Sequence, residues 1–133
     1  MIGIDTNILV YAYSNQDPKK RKACSRIFHR IHTGKQQAIV PAQVLAEFSR
    51  VMLEKIEHRM DSEQVYHIVS SIITNTNWHV APYTADDVAS AALQPTPFWD
   101  ALLEQALLRS GATKLLTENI DDFSRIKTQD PMR

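Results

Sequence analysis

Residues 38–57, AIVPAQVLAEFSRVMLEKIE, read as one strand followed directly by one helix. Ala38-Ile39-Val40 is short, apolar and partly β-branched, and Pro41 stops it by withholding a backbone donor. From Pro41 to about Glu57 the period changes. Val44, Leu45, Phe48, Val51 and Met52 occupy the i, i+1, i+4, i+7 and i+8 positions of one buried helical stripe. A strand that passes straight into an amphipathic helix is the building unit of a parallel sheet covered by helices.

The same alternation extends both ways. Ile2, Ile4, Ile8, Leu9 and Val10 surround a short first strand ending near Asp5 to Thr6. Asp17-Pro18 opens a helix to about Thr33-Gly34, with Asp as cap and Pro in the first turn. Asp61-Ser62 starts a helix carrying Val65, Ile68, Val69, Ile72 and Ile73, and Trp78-His79-Val80 is a short strand. Thr84, with Asp86-Asp87 in the first turn, begins a helix through Leu93. Pro95-Thr96-Pro97 breaks the chain before a helix from Phe98 to Ser110, closed by Gly111. Thr113 to Leu116 reads as a buried strand, and Asp121-Asp122-Phe123 as the beginning of a last helical turn.

The bulk properties narrow the class. With 133 residues the chain forms one domain over 1–133, and at 44% hydrophobic residues it is a folded one. The lone Cys24 has no internal disulfide partner and fits a reducing cytoplasm as an ordinary core thiol. No segment approaches the roughly 18 apolar residues of a membrane helix, and the acidic N-terminus is unlike a signal peptide. Fifteen basic residues balance fifteen acidic ones, so total charge is silent about nucleic acid. The block Lys19 to Lys22, with Lys35, offers a local guide for a phosphate backbone, or simply a solvated helical turn. Only three glycines occur. No Gly-rich loop exists to cradle a nucleotide phosphate, which argues against Rossmann and P-loop chemistry.

The acidic residues are more telling. Ligands of open parallel sheets bind beyond the carboxyl ends of the strands, and Asp5 ends the first strand, followed by Thr6 and Asn7. Glu47 lies roughly 40° beyond Val51 on the helical wheel, at the edge of the buried stripe. Asp100 sits in the first turn of its helix and faces partly inward beside Leu103 and Leu107; Glu104, one turn on, is a candidate for an outer shell. Thr117 ends a buried strand and Glu118, Asn119, Asp121 and Asp122 follow at the same rim. Spacing leaves open which of these acids turns inward. Each has a plainer use, as a helix cap, a surface charge or a partner of the helix dipole. Taken together they point to a hard divalent cation, because gathered carboxylates repel and are costly to desolvate. Mg²⁺ or Mn²⁺ fits better than Zn²⁺, since one Cys and scattered His residues make no zinc pattern. Such a site suits hydrolysis of a phosphodiester, with one acid taking a proton from water.

At these residues the chain resembles the PIN-domain family, and within it the VapC-type ribonuclease toxins of toxin–antitoxin pairs. The segments are Ile4-Asp5-Thr6-Asn7-Ile8-Leu9, Val44-Leu45-Ala46-Glu47-Phe48, Phe98-Trp99-Asp100-Ala101-Leu102, and Leu116-Thr117-Glu118-Asn119 with Asp122-Phe123. They span nearly the whole chain in the family's order. The resemblance implies a three-layer α/β/α sandwich with a central, mainly parallel sheet, and an acidic pocket binding Mg²⁺ or Mn²⁺. It also implies an endoribonuclease acting on single-stranded or transfer RNA, a homodimer, and a small antitoxin protein. By position, Asp5, Glu47 and Asp100 match the three steady acids and the metal ligands. Thr6, Asn7, Thr117 and Asn119 stand beside them as supports or substrate contacts. One departure is Asn119, where the family often has an acid; Asp122 matches the acid of lineages with Asn there and is taken as the fourth catalytic residue.

Two other folds start similarly. A haloacid-dehalogenase-type phosphatase needs a second Asp two residues after the first, and Asn7 holds that place. A phospho-receiver domain needs an acidic pair at the first strand and an acceptor Asp after the third, and Trp78 to Pro82 offers none. A non-enzymatic alternative is a PIN-like module that binds RNA or protein after losing its nuclease activity.

Overall fold

The computed structural model describes all residues, Met1–Arg133. In chain order the elements are β1 (Ile2–Ile4), α1 (Thr6–Tyr13), α2 (Pro18–His32), β2 (Ala38–Pro41) and α3 (Ala42–Arg50). After α3 come a π-helical turn (Val51–Lys55), α4 (Ser62–Thr74), β3 (Trp78–Ala81), α5 (Ala85–Ala92), α6 (Phe98–Arg109), β4 (Lys114–Leu116) and β5 (Lys127–Gln129). All strand pairs are parallel, in the order β3-β2-β1-β4-β5. Every residue of β2 is buried, which requires helices on both sheet faces. The three-layer α/β/α sandwich is therefore present, with a wholly parallel sheet.

Strand order fixes where the site must be. From β1 the chain moves outward to β2 and β3, then crosses back to place β4 on the opposite side of β1. The switch point lies between the carboxyl ends of β1 and β4, and a crevice opens there because the flanking connections leave in opposite directions. Register does the rest. Ile4 pairs with Leu116, so the next residues, Asp5 and Thr117, arrive side by side.

The core is built by the stripes read from sequence. Val44, Leu45, Phe48 and Met52 are buried, as are Ile4, Ile8, Leu9, Val65, Ile72 and Trp78. Cys24 is fully buried, and burial pushes its thiol up to about 12, which makes it an inert core residue. Gly3 marks a close approach: an added Cβ would stand 2.7 Å from Leu107 Cδ2, so this position lets α6 settle onto β1. No helix is long and apolar enough to cross a membrane.

Four local expectations differ from the structure. Residues 6–13 form α1, not a continuation of the first strand's surroundings, because Asp5 caps the turn by accepting from Thr6 N at 2.7 Å. The helix from Pro41 leaves α geometry at Val51 and stops at Lys55, with Ile56 N bonded to Val51 O at 3.2 Å. Ile73 is exposed; the inward face of α4 is Val65 and Ile72. Asp121-Asp122-Phe123 starts no helix. Asn119 N donates to Thr117 Oγ1 and Asp122 N to Asn119 O, making tight turns, and the chain then joins the sheet as β5.

Candidate active site

Asp5 is the anchor of the crevice. It is buried, with Oδ1 accepting from Thr6 N at 2.7 Å and Oδ2 from Thr117 Oγ1 at 2.7 Å. Asn7 Nδ2 stands 3.5 Å from both Asp5 Oδ2 and Thr117 Oγ1, and Asn7 Oδ1 accepts from Glu118 N at 3.2 Å. Asn7 thereby ties the ends of β1 and β4 together. Burial raises the Asp5 carboxyl above its ordinary 3.8; the bonds from Thr117 and Thr6 pull it back, and the charges of Glu47 and Asp122 push it up.

Glu47 reaches the crevice from α3. Its side chain is held by two donors, Thr6 Oγ1 to Oε2 at 2.9 Å and Gln43 Nε2 to Oε1 at 3.2 Å. Gln43 Nε2 also donates to Trp99 O at 3.2 Å, which fastens α3 to the start of α6. With two acceptors facing Nε2, the amide orientation is determined. Gln43 Oε1 then remains buried without a donor.

Asp100 is half-buried in the first turn of α6. Burial raises its carboxyl, followed by the charges of Asp122, Asp5, Glu47 and Glu104. Neither Asp100 nor Asp122 has a hydrogen-bond or ion-pair partner for its side chain, whereas Asp5 and Glu47 are pinned. Asp5, Glu47 and Asp100 line one cleft of about 500 Å³, together with Asn119 and Lys55. Asp122 joins them through its field on both aspartates.

The other acids are committed elsewhere. Glu118 turns to α1 and α2, where Lys20 Nζ and Tyr11 Oη both donate to it, and Lys20 holds its carboxyl below the usual range. Part of the basic block is thus paired off. Glu104 is buried and accepts from Arg125 N, Ile126 N and Arg125 Nε at 2.8, 2.9 and 3.1 Å. It holds the chain entering β5, and its charge still reaches Asp100.

The donor set is oxygen-only and hard, and two of its members are free to rotate, which fits Mg²⁺ or Mn²⁺. The ligand sphere is not closed as the side chains stand: no three His, Cys, Asp or Glu residues gather closely enough to hold one ion.

Thr117 offers a direct check on this geometry. Thr117→Val removes a buried donor to Asp5 and the acceptor of Asn119 N. We expect a loss of about 1–2 kcal/mol in denaturant unfolding. NMR titration of the metal-free protein should show Asp5 protonating at still higher pH, since a bond that lowered its pKa is gone.

No family model matches the sequence, and no curated protein does either. Solved structures do share the architecture, among them toxins and toxin–antitoxin complexes. The structure of FitAB bound to a DNA fragment superposes with a TM-score of 0.72 at 13% identity, over 100% of this chain and 96% of that one. The sarcin–ricin-loop-cleaving toxin VapC20 of Mycobacterium tuberculosis gives 0.68 at 16% identity, over 91% and 92% of the two chains. VapBC2 of Rickettsia felis, bound to promoter DNA, gives 0.59 at 19% over 98% and 100%. The resemblance read from the motifs is met at the level of the fold.

Proposed function

We propose that the chain is a divalent-cation-dependent endoribonuclease and the toxin of a toxin–antitoxin pair. The observation that carries the reading is the group of Asp5, Glu47, Asp100 and Asp122 at the switch point, where burial and mutual repulsion raise both Asp5 and Asp100. Carboxylates perturbed by burial and by one another in a cleft are the arrangement expected of a functional site. The shared architecture with toxins, one of them cleaving the sarcin–ricin loop, supports the same reading.

Asp5 and Asp100 would hold Mg²⁺ or Mn²⁺, with Glu47 completing the pocket. The bound cation would supply a more acidic water and charge stabilisation on the attacked phosphate. Thr6 and Thr117 keep Asp5 in one rotamer, and Gln43 does the same for Glu47. Asp122, exposed and unpaired, would take a proton from water. Asn119 faces the cleft as a neutral substrate contact. A small antitoxin protein and a second copy of the chain are the partners this reading brings, and the cytoplasm its compartment.

Cleavage of single-stranded and transfer RNA should need Mg²⁺ or Mn²⁺, stop with EDTA, and return on adding the cation. Unchanged cleavage in EDTA would overturn the mechanism. A PIN-like binding module without activity would instead show RNA or partner binding and no cleavage with either cation.

A further inference from the structure

Beside the acidic cleft lies a second, more apolar cavity of about 620 Å³, and Thr6, Glu47, Val51 and Lys55 line both. Two aromatic rings border the second cavity in the open: Trp99 is 60% exposed and Tyr83 46%. Exposed aromatic rings that share one apolar cavity, rather than standing singly, mark a contact surface. The Trp99 ring is braced, and the backbone leading into Tyr83 is fixed. Phe98 meets Trp99 edge-on, with centroids 5.4 Å apart, and Gln43 fixes the Trp99 carbonyl. Arg109 Nη2 donates to Pro82 O at 2.5 Å, beside Tyr83.

Charge gives the second half of the argument. Four carboxylates repel a polyphosphate chain, so a strand reaching Asp100 needs cations close by. Arg50 and Lys55 supply them along this cavity. Lys55 forms no ion pair, and Arg50 has only an exposed contact of 3.6 Å with Glu54. The π-helical turn Val51–Lys55 places Lys55 on the wall common to both cavities, and such turns occur preferentially at functional sites.

We infer that this cavity is a nucleobase subsite for single-stranded RNA, with Trp99 and Tyr83 stacking a base next to the scissile phosphate while Lys55 and Arg50 hold the intervening backbone. Aromatic platforms with interleaved cations bind unpaired strands in this way, since every base has a π-face. A duplex hides its base faces and is excluded. The inference rests on the nuclease reading for its substrate, and its test separates the two.

Trp78 is buried and Trp99 exposed, so quenching of intrinsic fluorescence by RNA reports on Trp99. The Asp5→Asn protein, expected not to cut, is titrated with a single-stranded oligoribonucleotide and with the same chain carrying abasic positions. The expected result is a saturable quench by the first that is lost in Trp99→Phe and absent with the abasic chain. Trp99→Ala should weaken binding about 5- to 100-fold, and lower kcat/KM similarly in the otherwise intact protein. Equal quenching by the abasic chain, or none by either, overturns the subsite. So does a Trp99→Ala protein that binds RNA as before but sediments as a monomer where the parent is a dimer, since the face would then be a subunit interface. Failure of the nuclease reading is a different result: no cleavage by the wild type, whatever the quench.

Discussion

Asp100→Asn is expected to lower RNA cleavage by about a hundredfold to a thousandfold or more while raising the melting temperature of the cation-free protein at pH 7. Both effects have one origin. Asp100 carries its charge in a half-buried place, among Asp122, Asp5, Glu47 and Glu104, without a donor to offset it. Its folded pKa lies above the ordinary 3.8, so the native state binds protons more readily than the unfolded chain. Stability then falls as pH rises through that interval and stays reduced above it. Asparagine carries no such penalty. The difference between the two melting temperatures should therefore be present at pH 7 and close on acidification below 3.8. Asp5→Asn should abolish cleavage equally, with a smaller gain in stability. Asp5 also accepts from Thr6 N and Thr117 Oγ1, and an amide replaces only one of its two acceptor oxygens. A wild-type level of cleavage in Asp100→Asn, with a lower melting temperature at pH 7, would remove this residue from the site.

Glu104→Ala should have the largest effect on stability, about 3 kcal/mol by urea unfolding. Three donors converge on this buried carboxylate, and truncation strands Arg125 N, Ile126 N and the Arg125 guanidinium at once. Arg125 is partly exposed and recovers some hydration; the two backbone groups recover less, Ile126 N being buried. Glu104→Ala should still bind Mn²⁺ in calorimetry, because Glu104 is consumed by this structural task. A loss below about 1 kcal/mol, or loss of Mn²⁺ binding from a folded protein, would mean that Glu104 belongs to the acidic group instead.

Glu104 also shows where sequence stops being legible. On a wheel it shares the face of Asp100, and nothing in the sequence reveals that Arg125, 21 residues away, will claim it. The same holds at the fourth strand. The acids Glu118, Asp121 and Asp122 are equivalent by spacing; Lys20 and Tyr11, brought over by α1 and α2, take Glu118 out. By contrast Asp5, Glu47 and Asp100 were legible because each is placed by its own element: a strand end, a helix edge and a first helical turn. The β2–α3 unit was legible for the same reason, its periods being strong and local. Helix α1 was missed although Ile8, Leu9 and Ala12 bear the helical spacing, since an apolar β-branched run also suits a strand. β5 gave almost no signal. Lys127-Thr128-Gln129 is a polar edge strand, and only pairing with β4 makes it one. Nothing in the sequence singles out Trp99 and Tyr83, because exposure, their telling property, is invisible in a sequence.

The proposed function depends on Asp100 and Asp5 sharing one hard cation. A crystal soaked in MnCl₂ and measured for anomalous scattering tests that directly. The account predicts a peak at ligation distance from Asp5 and Asp100 together, with Glu47 beside it, and no peak in Asp100→Asn. A manganese peak elsewhere on the molecule, or one at Asp5 that survives Asp100→Asn unchanged, would contradict it.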